Sequence, residues 1–176
     1  LKHQEWLVKN FKNIEAHTIN LDKLFESFEN SLSKFDNNHG MANSRARLRM
    51  TTLYQVAASN KGIVVGTGNK VEDFGVGFYT KYGDGGVDIS PIADCNKTDV
   101  WEMGRELNIL KEIIDAAPTD GLWDDGRTDE GQLGLKYSEL EEAMNNPNSP
   151  NRQKYEKIRK LNLHKMEPIP VCKIPN

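Results

Sequence analysis

The chain has 176 residues, of which 37% are hydrophobic and 28% charged, and 23 Lys and Arg against 26 Asp and Glu give a net charge of −3. A chain of this length and composition buries enough surface for one globular domain without disulfide or metal staples, which excludes disorder and a fibre. The mild acidity argues against a chain that coats nucleic acid, because such chains carry a large basic excess. We therefore expect one domain over residues 1–176 and no nucleic-acid partner.

The cysteines and the hydropathy pattern indicate the cellular compartment. Cys95 and Cys172 lie far apart without a CxxC pair, which argues against a zinc site and a disulfide framework. No stretch approaches the roughly 18 apolar residues of a membrane span, and residues 1–6 carry no signal-peptide pattern. A cytoplasmic protein without a membrane partner is predicted.

The first half of the chain predicts alternating helices and strands. Apolar and polar residues alternate over residues 14–21, which predicts a strand, and Asp22 predicts the N-cap of a short helix. The polar residues 37–40 predict a loop. Apolar side chains then recur at helical spacing over residues 43–60, so one face of that helix is expected in the core. The β-branched run 63–66 is typical of a strand buried on both faces of a parallel sheet.

The second half predicts helices around an acidic loop. Asn96 predicts the N-cap of a helix, whereas residues 119–130 are acidic and aperiodic and predict a mobile surface loop. Residues 138–141 fit a capping box that opens another helix. Ser149 and the proline after it predict the start of a helix over residues 151–161.

Residues 66–88 hold seven of the chain's 14 glycines, interleaved with charged side chains, so chemistry is expected there. Ligands of parallel α/β sheets lie at the carboxyl ends of strands, and Thr67 follows such an end with Glu72 close behind. A hydroxyl and a carboxylate in this place suit a nucleotide and its Mg²⁺. A simple glycine turn with a surface carboxylate explains the same pattern equally well.

Two basic groups are further candidates for anion binding. Arg45 and Arg49 share a helix face while Arg47 points elsewhere, so Arg47 can make a separate bidentate contact. His164 and Lys165 form a pair near the carboxyl end. A solvated helix face and a solvated terminal pair are the alternative interpretations.

One motif is rejected. Residues 85–90 imitate the Ser-Gly-Gly-x-Asp-Ser loop that binds pyrophosphate, but Asp84 stands where that loop has Ser. Pro91 follows where a helix should open towards the phosphate. The histidines form neither HxH nor HExxH, and no nucleophile elbow occurs, so hydrolase and metalloprotease functions find no support.

Five runs, taken together and in order, resemble NAD synthetase, a family of the N-type ATP pyrophosphatases. They are NSRARLRM (43–50), GTGNKVE (66–72), FYTKYGDGGVD (78–88), PTDGLW (118–123) and HK (164–165). The resemblance implies an α/β fold with a doubly wound parallel sheet, Rossmann-like and of the adenine nucleotide alpha hydrolase-like type. It also implies a homodimer whose subunits share the dinucleotide site.

The resemblance further implies an activity and a set of binding residues. In the family, ATP adenylates the nicotinate carboxylate of deamido-NAD, and ammonia then displaces AMP to give NAD. Carried over by position, Thr67, Lys97 and Thr119 are expected to contact ATP, and Glu72 to bind Mg²⁺. The residues expected to contact deamido-NAD are Arg47, Lys81, Asp88, His164 and Lys165. The acidic loop is expected to close as a lid that keeps water from the adenylate.

The sequence departs from the family because the Ser-Gly-Gly-x-Asp-Ser loop and the first βα unit are missing. We expect a carboxyl-terminal portion of a longer synthetase, or a sequence whose front has been omitted, and expect no adenylate formation by the 176 residues alone. Two other readings stay open. The first is a non-catalytic dinucleotide-binding or dimerisation module, and the second is another ATP pyrophosphatase, GMP synthetase-like or tRNA-thiolating, which should lack the 78–88 block. Ammonia can be used free or come from an upstream glutaminase domain.

Overall fold

The computed structural model describes residues 2–175, in which α-helices are the main regular elements. They are α1 (Lys2–Asn10), α2 (Asp22–Ser31), α3 (Asn38–Ser59), α4 (Lys97–Glu106), α5 (Lys111–Ile114), α6 (Asp129–Leu133), α7 (Tyr137–Asn145) and α8 (Arg152–Met166). A 3₁₀ turn covers Ser33–Phe35, and a π-helix covers Lys70–Val76. No helix within residues 2–175 is both long and apolar enough to cross a membrane.

The core forms where the π-helix packs against α7 and α8. Its buried members are Val71, Val76, Leu133, Leu135, Tyr137, Leu140, Ala143 and Tyr155. Partly buried aromatic and aliphatic side chains, among them Phe78 and Trp101, close its edges. Burial of this apolar surface stabilises the contact by about 25 cal/mol per Å² removed from water, so the core anchors the glycine-rich segment to the carboxyl-terminal helices.

The predicted parallel sheet is represented by one parallel bridge, between Val65 and Ile89. Gly66 N donates to Ile89 O at 2.7 Å, and Asp88 N donates to Val64 O at 3.0 Å. Val64 is buried, whereas Val65 and Ile89 are about half exposed, so the bridge presents apolar side chains that a wider sheet would cover. No strand is assigned within residues 2–175, and the doubly wound sheet stays a prediction.

Three predictions for the first half of the chain are wrong. Residues 14–21 form no strand, because their backbone finds no partner strand within the described residues, and alternation alone cannot pair a ladder. Asp22 is the first residue of α2 rather than its cap. Residues 38–40 belong to α3, which Asn37 caps by accepting a hydrogen bond from Gly40 N at 2.7 Å.

The apolar face of α3 is covered along only part of its length. Ala46 and Met50 are buried as predicted, but Leu53 is 51% exposed. Periodicity identified the helix correctly and overstated its burial.

The starts of α7 and α8 are shifted from their predicted positions, and Asn151 rather than Ser149 stands at the N-cap position of α8. The helix α7 begins at Tyr137, and Glu139 rather than Glu141 accepts from the backbone N–H at the cap. Glu141 instead accepts from Thr98 N at 3.0 Å and Thr98 Oγ1 at 2.7 Å, which ties α7 to the start of α4. The last helix is longer than predicted and contains His164 and Lys165 in its final turn.

Candidate functional site

The π-helix holds Glu72 in a fixed position beside the core. Asn69 is nearly fully buried, and its side-chain oxygen accepts from Val71 N at 3.0 Å and Glu72 N at 3.1 Å. At the other end Gly77 adopts a left-handed φ of +67°, which glycine allows at no steric cost. Caps at both ends hold the short helix although its hydrogen-bond spacing is rare, and π-turns often mark functional sites.

Glu72 and Lys97 form an ion pair with little access to solvent. Lys97 Nζ lies 2.9 Å from Glu72 Oε1, and the side chains are 18% and 16% exposed. Lys97 is the first residue of α4, and Asp99 accepts from the backbone N–H of Asn96 at 2.8 Å, as the predicted cap requires. The structure thus joins the residue predicted to bind Mg²⁺ to one predicted to contact ATP.

Tyr137 and Asp129 complete this group, and sequence reasoning missed both. The Tyr137 hydroxyl lies 2.6 Å from Glu72 Oε1 and 3.2 Å from Asp129 Oδ2. Lys97 Nζ lies 5.0 Å from the centroid of the Tyr137 ring, within the range of a cation–π contact. Burial beside the carboxylates raises the pKa of Tyr137, so the hydroxyl keeps its proton. We call Glu72, Lys97, Tyr137 and Asp129 the carboxylate cluster.

Asp129, which was predicted to lie in the mobile surface loop, is instead a buried acid at the start of α6. Its backbone N–H donates to Pro118 O at 2.9 Å, which places Thr119 directly after a residue tied to the cluster. Burial raises the pKa of Asp129, and its Oδ1 atom has no hydrogen-bond partner within residues 2–175. Thr128 before it caps α6 by accepting from Gly131 N at 3.1 Å. This Thr-Asp-Glu start was the signal available in the sequence, because a capping Thr followed by two acids is typical of a helix amino terminus.

The basic residues predicted to contact deamido-NAD lie together at a second group. Arg47 Nε donates to Lys81 O at 3.1 Å, and Lys81 Nζ donates to His164 O at 2.7 Å. Lys165 Nζ donates to Gly77 O and to another carbonyl of the glycine-rich segment, at 2.8 Å each. We call Arg47, Lys81, His164 and Lys165 the basic group. It joins α3, the segment after the π-helix and the last turn of α8.

Asp88 lies at the bridge rather than in the basic group. Its Oδ2 atom accepts from Val64 N at 2.7 Å, so the side chain holds the two bridged segments together. Thr67 and Thr119 are exposed, and neither hydroxyl makes a hydrogen bond within residues 2–175. The structure therefore unites part of the predicted ATP and metal set at the carboxylate cluster and leaves the two threonines at the surface.

The acidic loop is attached to α3. Arg45 Nη1 donates to Leu122 O and Arg49 Nη2 to Gly121 O, both at 3.1 Å. Farther along, Arg127 pairs with Asp125 and stacks over Trp123 at 4.1 Å from the ring centroid. Two arginines therefore hold the first part of the loop against the helix that also carries Arg47.

A small cavity of about 110 Å³ lies between the acidic loop, the start of α3 and residues 78–80. It is lined by residues that include Thr80, Asp120, Trp123, Gln132 and Lys165. Asp120 ties the loop side together, because its Oδ2 accepts from Gln132 Nε2 at 3.0 Å and Trp123 Nε1 at 3.2 Å. The loop therefore forms one wall of a space whose other walls are the start of α3, residues 78–80 and Lys165 of the basic group.

Comparison with known proteins defines the family. The sequence profile of NAD synthase matches residues 1–174. An NH(3)-dependent NAD(+) synthetase of Carboxydothermus hydrogenoformans is 41% identical over 142 residues, which cover 78% of this chain and 58% of that protein. The chain belongs to the NAD synthase family, which confirms the resemblance and disfavours a different ATP pyrophosphatase.

Solved structures agree with this assignment. An NMN synthetase from Francisella tularensis superposes with a TM-score of 0.85 at 32% identity, over 99% of this chain and 72% of that one. An NH3-dependent NAD synthetase from Campylobacter jejuni shares the fold with a TM-score of 0.68 at 21% identity, over 92% of this chain and 67% of that one. The chain spans a little over half the length of the curated relatives first matched.

Proposed function

We propose that the protein containing this chain converts deamido-NAD to NAD with ATP and ammonia. The observation that carries the proposal is that one segment, residues 70–81, bears both Glu72 and Lys81. It thereby joins the carboxylate cluster to the basic group. An enzyme that adenylates a dinucleotide needs a site for the ATP phosphates beside a site for the second substrate. The carboxylate cluster and the basic group are the candidates for these two sites.

The proposed reaction has two steps. The nicotinate carboxylate attacks the α-phosphorus of ATP, a phosphorus–oxygen bond forms, and pyrophosphate leaves with the electrons of the broken bond. Ammonia then attacks the acyl carbon, AMP leaves, and the nitrogen loses a proton to give the amide. Ammonia is itself the nucleophile, so the reaction needs no activated serine or cysteine. Lysines would stabilise the negative charge that develops on the leaving pyrophosphate, and a divalent cation would add to this when bound.

The residues have distinct proposed roles in this scheme. Lys97, Thr67 and Thr119 contact ATP, and the basic group together with Asp88 contacts deamido-NAD. Lys81 and Lys165 present ammonium groups, and Arg47 a guanidinium that suits phosphate oxygens. Burial lowers the pKa of Lys165, and its Nζ atom donates to two backbone carbonyls. Lys165 therefore mainly orders the glycine-rich segment beside the ligand.

The donor set of the carboxylate cluster fits Mg²⁺. Glu72 and Asp129 are hard oxygen ligands, and Asp129 Oδ1 is buried without a partner within residues 2–175. Mg²⁺ is usually held by one or two carboxylates together with substrate phosphates. No set of three or more His, Cys, Asp or Glu in the described chain is arranged to hold a metal ion, so phosphate and water must supply the other ligands. When bound, the cation offsets phosphate charge.

We further propose that the acidic loop acts as a lid, that the protein is a cytoplasmic homodimer, and that ammonia is used free or supplied by an upstream glutaminase domain. The cavity beneath the loop and the two arginine contacts from α3 support the first of these. If replacing Asp124 and Asp125 by Asn left adenylate hydrolysis and amide yield unchanged, a lid role for those acids would be wrong.

The test of the proposed substrate is a pair of binding measurements on the complete protein. Lys81→Met and Asp88→Asn are expected to weaken deamido-NAD binding much more than ATP binding, because neither side chain belongs to the carboxylate cluster. Isothermal titration calorimetry measures both affinities. Equal losses for the two ligands would contradict the assignment of these residues.

A second candidate function is the amidation of nicotinate mononucleotide. The likeness to the Francisella tularensis NMN synthetase, at a TM-score of 0.85, favours it. The two candidates differ in whether an adenylyl half of the substrate must be bound. The ratio of kcat/KM for deamido-NAD and for nicotinate mononucleotide distinguishes them, since a dinucleotide enzyme gains transition-state binding from the remote adenylyl half. A non-catalytic module predicts turnover of neither.

A further inference from the structure

We propose that Tyr137 is a positioning residue that holds Glu72 in the orientation in which it binds the divalent cation. The inference rests on the proposed function, because Glu72 is the metal ligand in that scheme. Tyr137 is not expected to touch substrate or metal. It acts through the carboxylate.

Both hydrogen bonds to the Glu72 carboxylate reach the same oxygen. The Tyr137 hydroxyl donates to Oε1 at 2.6 Å, and Lys97 Nζ donates to Oε1 at 2.9 Å. No hydrogen bond reaches Oε2 from any described residue. Two donors on one oxygen fix the rotation of the carboxylate, so Oε2 is left to a cation. Partners that orient ligating carboxylates in this way are a general feature of metal sites.

Tyr137 is itself held in place and can therefore act as a rigid support. Its side chain is fully buried, and the Trp101 ring meets it edge-on at 5.9 Å between centroids. Tyr137 and Lys97 each begin a helix, and the hydrogen bonds between Glu141 and Thr98 tie those two helix starts together. The hydroxyl consequently has a fixed position relative to both Glu72 and Lys97.

The Tyr137 hydroxyl donates its single proton to Glu72 rather than to Asp129. The distance to Glu72 Oε1 is 2.6 Å, against 3.2 Å to Asp129 Oδ2, and the shorter contact is the stronger one. Asp129 is therefore the weaker of the two acceptors of the hydroxyl. This assignment separates the two neighbours of Tyr137 and gives each a different expected effect when it is changed.

The test measures cation affinity directly. Mn²⁺ is titrated into the complete protein with α,β-methylene-ATP, and free Mn²⁺ is followed by electron paramagnetic resonance. Tyr137→Phe keeps the ring and removes the hydroxyl, and we expect it to weaken Mn²⁺ binding about tenfold or more. Tyr155→Phe is the matched control, because Tyr155 belongs to the same core but its hydroxyl lies outside the carboxylate cluster. It should leave the affinity unchanged. An affinity of Tyr137→Phe within twofold of the wild type would overturn the proposal.

A double-mutant cycle tests whether Tyr137 acts through Glu72. In a Glu72→Gln background, Tyr137→Phe should cause no further loss of Mn²⁺ affinity, because the carboxylate to be oriented is gone. The Glu72→Gln background also removes the carboxylate that Tyr137→Phe would leave with one hydrogen bond fewer. The double variant can therefore be compared with Glu72→Gln even if Tyr137→Phe alone does not fold. A further loss in the double variant would overturn the proposal.

Asp129→Asn separates the proposal from its nearest rival. Asp129 is itself a candidate ligand of the cation, so Asp129→Asn alone is expected to weaken Mn²⁺ binding. In an Asp129→Asn background, Tyr137→Phe should still cause its full loss of affinity, because it acts through Glu72. Disappearance of the Tyr137→Phe effect in that background would assign the hydroxyl to Asp129 and overturn the proposal. Failure of the proposed function is distinguishable, since it appears as no amide formation by the wild type, whereas failure of this inference leaves wild-type turnover intact.

Discussion

Replacing Gly77 by Ala inserts a methyl group where the end of the π-helix meets α8. Gly77 has a φ of +67°, and a left-handed conformation costs an L-residue about 1–2 kcal/mol. The added Cβ would lie 2.6 Å from Asn162 Cβ, and overpacking of this kind costs about 1–3 kcal/mol. The free energy of unfolding should fall by about 2–5 kcal/mol in total. Glu72 lies in the π-helix before Gly77, and the basic group includes residues at the end of α8. The contact between Gly77 and Asn162 therefore fixes the position of the carboxylate cluster relative to the basic group.

Gly121→Ala is the matched control for this change. Gly121 has a similar φ of +61°, but an added Cβ meets no heavy atom within 4 Å. Only the conformational cost of about 1–2 kcal/mol is expected there. Urea unfolding followed by tryptophan fluorescence measures both variants, and the difference between them reports the steric contact. Equal losses would refute the close packing of the π-helix on α8.

Three further changes test the packing and charges around the site. Lys165→Met removes the donor of two carbonyls and should lower the free energy of unfolding by about 1–3 kcal/mol, against about 0.5 kcal/mol or less for the exposed Lys160→Met, in urea titrations. Burial, and then the charge of Glu72, raises the pKa of Asp73 from 3.8 to about 6. The folded state therefore binds this proton more tightly, and stability should fall as the pH rises from 3.8 through 6. Asp73→Asn should remove that fall in urea midpoints measured across the range, and an unchanged slope would refute the raised pKa. Arg49→Ala should speed tryptic cleavage after Arg127, while Arg105→Ala, on α4, should not; equal rates would contradict the attachment of the loop.

The local elements of the fold could be predicted because their signals are local. The period of apolar residues indicated α3 and the Asn96 cap indicated α4, and both helices are present. Residues 14–21 show the limit of this reasoning, since a strand depends on a partner that alternation does not reveal. The π-helix was not predicted because its caps, one of which is the buried Asn69, depend on the core beneath them.

The site was predictable where it followed a motif and was missed where it depended on tertiary contact. Glu72 was indicated by its position after a predicted strand and by the resemblance, Lys97 by the resemblance alone, and the structure places them 2.9 Å apart. Tyr137 lies 65 residues from Glu72 in the sequence, so no spacing could connect them. Glu141 was expected to cap its own helix and instead caps α4, because the packing of α7 on α4 brings Thr98 within its reach.

The proposed function gives this chain the deamido-NAD site of an ATP-dependent amidating enzyme. Its most direct test incubates the complete protein with ATP, Mg²⁺, ammonium and deamido-NAD and quantifies the products by mass spectrometry. We expect NAD, AMP and pyrophosphate in equal amounts, and loss of NAD formation in Lys81→Met. Absence of NAD, or a higher kcat/KM for nicotinate mononucleotide than for deamido-NAD, would contradict the proposed function.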